Sequence, residues 1–313
     1  MKDKALTVIR NDLPEKETIL RLWLEQVPSE VTRLNYEYKL KKFIEKTKLD
    51  PFTVSSFQID EYLKRALSKG VNVGTLRGQL TVLNSFYRYV RQKKPDFQSP
   101  VKSISVKLPD MKSDCAIKIR KRALSGELIA QVLKQFNEIE ERTGEEPNGA
   151  FLFRFLLNTG LRISEALSLE YYDENKESGD YINYVKIAGE RGYVYVLGKG
   201  RRPREFHLNK TFTDYLIQHD PEPGERVIRN QRGKPLSSNG ALYLMKFLQR
   251  KYFKGAGIFK FSNHSLRHTY ITMQLKRNES PINVAKTVGN SVAIIEKTYL
   301  SEAKDINEGF CCI

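Results

Sequence analysis

Asn263-His264-Ser265-Leu266-Arg267-His268 places a histidine and an arginine three residues apart. On a helix such positions share a face, so both side chains can point at one anion. Leu266, Tyr270, Ile271 and Leu275 recur around them at helical spacing and are expected to bury the opposite side. Further on, Val288-Gly289-Asn290 leads to Lys297-Thr298-Tyr299-Leu300. This tyrosine sits on a short apolar helix near the C-terminus, where a segment can move without disturbing the core. A tyrosine hydroxyl, with a pKa of about 10, is a poor nucleophile near neutrality until something positions it and takes its proton. A phosphodiester under attack gathers negative charge on its non-bridging oxygens, which forked guanidiniums can meet. Together these residue types pose the question of a phosphodiester site with a tyrosine nucleophile.

The chain has 313 residues, enough for two domains, because single cores seldom grow much beyond about 250 residues. Its 53 Lys and Arg against 37 Asp and Glu give a net charge of +16. An excess of that sign points to a polyanion partner, most often nucleic acid. No apolar run approaches the roughly 18 residues of a membrane-spanning helix, so no membrane span is expected. Met1-Lys2-Asp3-Lys4 opens onto charged sequence without a signal-peptide apolar core. Three cysteines, two of them adjacent at Cys311-Cys312, make neither a disulfide framework nor a zinc pattern and fit a reducing, cytoplasmic setting.

The elements that must hold the chemistry fall into two groups. Ile19, Leu20, Trp23, Leu24 and Val27 form a helical stripe ended by Pro28. Ser29 caps a second helix carrying Leu34, Tyr38 and the basic run Lys39, Lys41 and Lys42. After the Asp50-Pro51 turn, a third helix aligns Ile59, Leu63 and Leu67 and stops at Gly70. The fourth lines up Leu76, Leu80, Leu83, Tyr87 and Val90, with Arg77, Arg88 and Arg91 off that stripe. Residues 1–98 thus read as a four-helix module with basic flanks. Charge on a helix is usually a solvated face, but its repetition in so basic a chain makes these Lys and Arg candidate phosphate contacts. Pro95, Pro100, Pro109 and a series of lysines and arginines mark residues 99–122 as a basic linker.

The second domain occupies residues 123–313. Ser125 caps its first helix; a second, with Phe151, Phe155 and Leu156, ends at Gly160, and Arg162 opens a third. Tyr181–Ile187, Gly192–Leu197 and Arg204–Leu208 carry strand signals, and Gly198-Lys199-Gly200 is a tight turn with a lysine at a hairpin tip. Helices follow near 210–219 and 238–254. The fold class is therefore mainly α with a small antiparallel sheet, an α+β arrangement.

Taken singly, each candidate has an ordinary explanation. Arg162 can complement a helix end, Lys199 can be a turn residue, and His264 and His268 can be core histidines satisfied by backbone groups. Tyr299 is one of 16 tyrosines. Tyr270, a second tyrosine beside the pair, lies inside the same helix as Arg267 and reads as core.

Taken in order, the pieces resemble the tyrosine recombinases, the phage-integrase family of site-specific DNA recombinases. The matching residues are Thr159-Gly160-Leu161-Arg162 with Ser164-Glu165, Gly198-Lys199-Gly200, His264-Ser265-Leu266-Arg267-His268, and Val288-Gly289-Asn290 leading to Tyr299. The resemblance spans nearly the whole chain, since a four-helix, SAM-like core-binding domain ahead of the catalytic domain is also the family's layout. It implies that Arg162 and Arg267 clamp the phosphate, that Lys199 is the general acid for the leaving 5′ oxygen, and that Tyr299 is the nucleophile. His264 would hold the phosphate and help manage the tyrosine proton, with Glu165 and His268 in orienting roles. Arg201 and Arg202, beside Lys199, join the candidate DNA contacts.

One departure stands out. Family members usually carry histidine or tryptophan nine residues before the nucleophile, and here that place holds Asn290. Asparagine is no acid or base near neutrality, but its amide can donate a hydrogen bond to a phosphate oxygen. The implied reaction is cleavage and rejoining of DNA strands through a 3′-phosphotyrosyl link, without ATP, metal or other cofactor, because the arginines supply the positive charge. The implied partner is double-stranded DNA, clamped between the two domains by a chain that is monomeric alone and a homotetramer on DNA. The same residues would also serve a type IB-like topoisomerase, a telomere-resolving hairpin former, or a DNA-binding protein whose active site has decayed at Asn290.

Overall fold

A computed structural model describes residues 14–109, 123–176, 183–198, 202–254 and 261–300. The chain divides into two compact units, residues 1–113 and 114–313. The first holds α1 (Pro14–Glu25), α2 (Glu30–Thr47), α3 (Ser56–Ser68) and α4 (Val73–Lys93). Ser29 caps α2 as expected, and Ser55, not singled out in the sequence, caps α3: Ser55 Oγ accepts from Gln58 N at 3.2 Å while the Gln58 amide accepts from Ser55 N at 2.9 Å. Trp23, 2% exposed, stacks on Tyr36 and meets Phe86 edge-on at the centre of this core.

Residues 99–108 do not leave the unit as a linker. A 3₁₀ turn at Pro100–Ser103 buries Val101, and Ile104, Val106 and Leu108 pack on the same core as Trp23. Asp60 pins the stretch, its carboxylate accepting from Ser105 N at 2.8 Å, Ser105 Oγ at 2.7 Å and Val106 N at 2.9 Å. The alternation of Ile104, Val106 and Leu108 is the signature of a half-buried extended segment, which the surrounding prolines and lysines obscure. The expected linker of residues 99–122 thus loses its first part to the helical unit, and residues 110–122 lie outside the described residues.

The second unit begins with α5 (Gly126–Thr143), α6 (Ala150–Thr159) and α7 (Ile163–Ser168). Among the described residues four strands follow: β1 (Glu170–Tyr171), β2 (Asn183–Ala188), β3 (Arg191–Leu197) and β4 (Pro203–His207), in the order β1-β2-β3-β4. β2, β3 and β4 are antiparallel as expected, but β1 pairs parallel with β2, so the sheet is mixed. A two-residue strand directly after α7 carries too little pattern to be read from sequence. The remaining helices are α8 (Lys210–Ile217), α9 (Ser238–Tyr252), α10 (Asn263–Lys276), α11 (Pro281–Val288) and α12 (Val292–Ile295), with a π-helical turn at Glu296–Leu300.

Helix α10 joins two apolar clusters. Leu266 belongs to the main core with Phe136, Phe153, Val194 and Leu248. Ile271 and Leu275 belong to a smaller one with Val284, Ala285, Val288, Ile295 and Tyr299. The C-terminal helices are therefore docked through their own apolar stripe. Among the described residues, no helix is long and apolar enough to cross a membrane.

Candidate active site

The site is assembled where α6 ends. Gly160 caps that helix in the left-handed region (φ 60°), and a Cβ there would lie 2.3 Å from the Tyr270 ring on α10. A glycine is what lets the two helices come together. The Gly160 carbonyl accepts from Arg267 Nη1 at 2.8 Å, which joins the turn before Arg162 to the middle of α10. Glu165, on the first turn of α7, reaches back to accept from Arg162 N and Arg162 Nη1, both at 2.9 Å.

Arg162 and Arg267 then converge on the segment after α11. Arg162 Nη2 donates to Gly289 O and to Asn290 Oδ1, each at 3.1 Å. Arg267 Nη2 donates to Val288 O and, at 3.1 Å, to Asn290 Oδ1. The asparagine carbonyl thus sits between two guanidiniums, a tie that its position in the sequence did not indicate. Arg267 is 5% exposed. Burial, and then the neighbouring charge of Arg162, pull its guanidinium down to about 10, still cationic at neutral pH.

Tyr299 is buried against α10 and its hydroxyl is hydrogen-bonded to His268 Nδ1. The tyrosine is held in the smaller apolar cluster rather than standing on a loosely attached helix. It lies on a π-helical turn, a local irregularity often found at functional sites. Tyr299 and Arg267 are close enough for the phenol to influence the arginine's ionisation. His264 lies one turn before His268 on α10 and is exposed, with the two ring centroids 6.4 Å apart. Tyr270, by contrast, packs its ring on Gly160, and burial pushes its hydroxyl up to about 12.

The Phage integrase family profile matches residues 127–304. The chain belongs to that family. It is 24% identical over 289 residues to the tyrosine recombinase XerC of Bacillus subtilis (strain 168), covering 91% of this chain and 90% of that protein. It is 23% identical over 235 residues to the tyrosine recombinase XerH of Helicobacter pylori, covering 74% of this chain and 62% of that one. Two solved structures share the fold. The XerH recombinase bound to palindromic difH substrate in a post-cleavage complex gives a TM-score of 0.63 at 19% identity, covering 88% of this chain and 77% of that one. The Tn1549 transposon integrase with circular intermediate DNA gives 0.58 at 17% identity, covering 91% and 97%.

In this integrase-family chain the other expected residues meet different fates. Lys199 and Arg201 lie outside the described residues; the hairpin's base is closed by Gly198 N donating to Arg202 O at 3.0 Å, and Arg202 is exposed. Lys41 and Lys42 are ion-paired to Glu37 and Glu45 of their own helix at 2.6 and 2.7 Å. Arg77 donates to the Pro109 carbonyl at 2.6 Å, and Lys39 is half-buried with its Nζ over Gly78. Arg88 and Arg91 are exposed and line one open groove with Ser99 and Lys102. Among the described residues, no three His, Cys, Asp or Glu side chains gather as a metal site.

Arg204 is the residue that sequence reading missed. Its Nη2 donates to Glu165 Oε2 at 2.7 Å and its Nε to Thr287 O at 2.9 Å. Burial alone would raise the Glu165 pKa, but hydrogen bonds from Arg204 and from Arg162 N hold it below the usual carboxylate value. The available signal was a charged residue inside a strand pattern, in a segment too short to show which face is inward.

Proposed function

We propose that this tyrosine-type site-specific DNA recombinase cleaves and rejoins DNA strands through Tyr299, with double-stranded DNA as its substrate. The observation that carries the reading is the Tyr299 hydroxyl hydrogen-bonded to His268, beside two guanidiniums bridged by Asn290. In the proposed step His268 Nδ1 takes the phenolic proton and the phenolate oxygen attacks phosphorus. The bond from phosphorus to the 5′ oxygen breaks, its electron pair goes to that oxygen, and Lys199 supplies the proton. The products are a 3′-phosphotyrosyl link and a 5′-hydroxyl. A 5′-hydroxyl from a second duplex reverses the sequence, with the imidazolium returning its proton to the tyrosine oxygen. The covalent link conserves the bond energy.

Arg162 has five guanidinium donors, of which three are used by Glu165, Gly289 and Asn290. Its remaining donors, on a side chain 30% exposed, suit the non-bridging oxygens. Exposed His264, on the first turn of α10, suits a further phosphate contact. The proton role that motif position placed on His264 falls to His268, because both share one helix face and only the docking of the Tyr299 segment distinguishes them. In the helical unit, Arg88, Arg91 and Lys102 line a groove suited to backbone phosphates. Exchange between two duplexes requires four strand cleavages, and so four protomers assembled on DNA.

Covalent trapping tests the reading. Nicked suicide duplexes tiled from the DNA flanking the gene, incubated without added metal, should give a protein–DNA adduct on a denaturing gel. No adduct with any duplex, or relaxation of any supercoiled plasmid regardless of sequence, would refute site-specific recombination; the second outcome would instead indicate a type IB-like topoisomerase.

A further inference from the structure

Three segments of the site meet on a residue that no motif singles out. We propose that Arg204 is a positioning residue for phosphate activation, holding Arg162 in the orientation that clamps the scissile phosphate. This rests on the roles of Arg162 and Tyr299 given above. Arg204 projects from β4 with its side chain 10% exposed. Nη2 and Nη1 donate to the two Glu165 carboxylate oxygens at 2.7 and 3.3 Å, a forked pairing that lysine cannot reproduce. Nε donates to Thr287 O, in the last turn of α11.

The same two Glu165 oxygens accept from Arg162 N and Nη1, and the chain leaving α11 presents Gly289 O and Asn290 Oδ1 to Arg162 Nη2. Hydrogen bonds therefore close a ring through Arg204, Glu165, Arg162 and the Gly289–Asn290 turn, returning along α11 to Arg204. Two glycines make room for it. A Cβ on Gly198 would lie 2.8 Å from Arg204 Nη1, and one on Gly289 would lie 2.9 Å from the same atom. A buried Glu–Arg pair adds little net stability over apolar packing. What this pair does is fill the acceptor sites of Glu165, leaving the carboxylate one orientation in which to hold Arg162. Two guanidiniums on one carboxylate also leave excess positive charge where an anionic phosphate would bind.

The test uses the full chain and the tiled suicide duplex that wild type traps, prepared with either a phosphate or a methylphosphonate at the scissile position. Methylphosphonate carries no charge and so needs the clamp less. On phosphate, Arg204→Ala should slow trapping by about 10²-fold and Arg204→Lys by about 10-fold, with duplex binding and thermal unfolding of Arg204→Lys close to wild type. On methylphosphonate both losses should shrink by about tenfold, as should that of Arg162→Ala. Gly198→Ala, which keeps the arginine but displaces Nη1, should show the same charge-dependent loss even if Arg204→Ala does not fold. Wild-type trapping by Arg204→Lys and Gly198→Ala, or losses equal on both duplexes, would overturn the positioning role alone. Trapping by Tyr299→Phe, or no trapping by wild type, would instead overturn the underlying reading of the site.

Discussion

Arg162 and Arg267 share an acceptor: the Nη2 atom of each lies 3.1 Å from Asn290 Oδ1. Two guanidiniums repel, and the carbonyl dipole between them offsets that repulsion while fixing their spacing. Asn290→Ala should slow adduct formation by about 10-fold to 10²-fold, because the arginines lose a common anchor. Asn290→Asp should be slower still, since a carboxylate at this point competes with the phosphate for both cations. Single-turnover trapping of the two variants checks the order.

Tyr299→Phe should bind duplex DNA with wild-type affinity and form no adduct, since only the oxygen is lost from a ring that stays in its apolar cluster. A filter-binding isotherm beside a denaturing gel separates the two effects.

His268→Ala should slow adduct formation by about 10²- to 10⁴-fold, the range for a positioned acid–base group. A duplex with sulfur in place of the 5′ bridging oxygen has a leaving group that needs no proton. That duplex should restore cleavage by Lys199→Ala and leave the His268→Ala defect in place. Equal rescue of both variants would remove His268 from the proton path.

Glu165 titrates lower in the folded chain than unfolded, so the unfolded chain binds its proton first on acidification. Its contribution to stability is fully present above the ordinary glutamate pKa of about 4.3 and is lost as pH falls through the folded-state value. Glu165→Gln strands the buried Arg204 and should destabilise by about 3 kcal/mol at pH 7. Denaturant melts from pH 7 to pH 3 should show the gap to wild type narrowing at the acid end.

DNA affinity should fall linearly in log–log form with salt. Arg88→Ala and Arg91→Ala should each reduce the slope by about 1. Lys41→Ala and Lys42→Ala should change it less, because those ammoniums are already paired on α2. Fluorescence anisotropy across a salt series measures all four.

The sequence by itself determined most of the helices and several of their ends, and it supplied most of the candidate site residues. Ser29 and Ser125 cap helices, Gly160 ends one, and His264 and Arg267 share a face, because capping and periodicity operate within a turn or two of chain. Tertiary structure decided which partners those residues keep. His268 meets a tyrosine 31 residues away, Arg204 meets a carboxylate 39 away, and Asn290 turns its oxygen to arginines 128 and 23 away. It also turned Ile104, Val106 and Leu108 into core and set β1 parallel to β2. No local pattern encodes such contacts: they follow from how apolar clusters pack, and packing alone selects one histidine, one arginine and one face of an amide from chemically equal candidates.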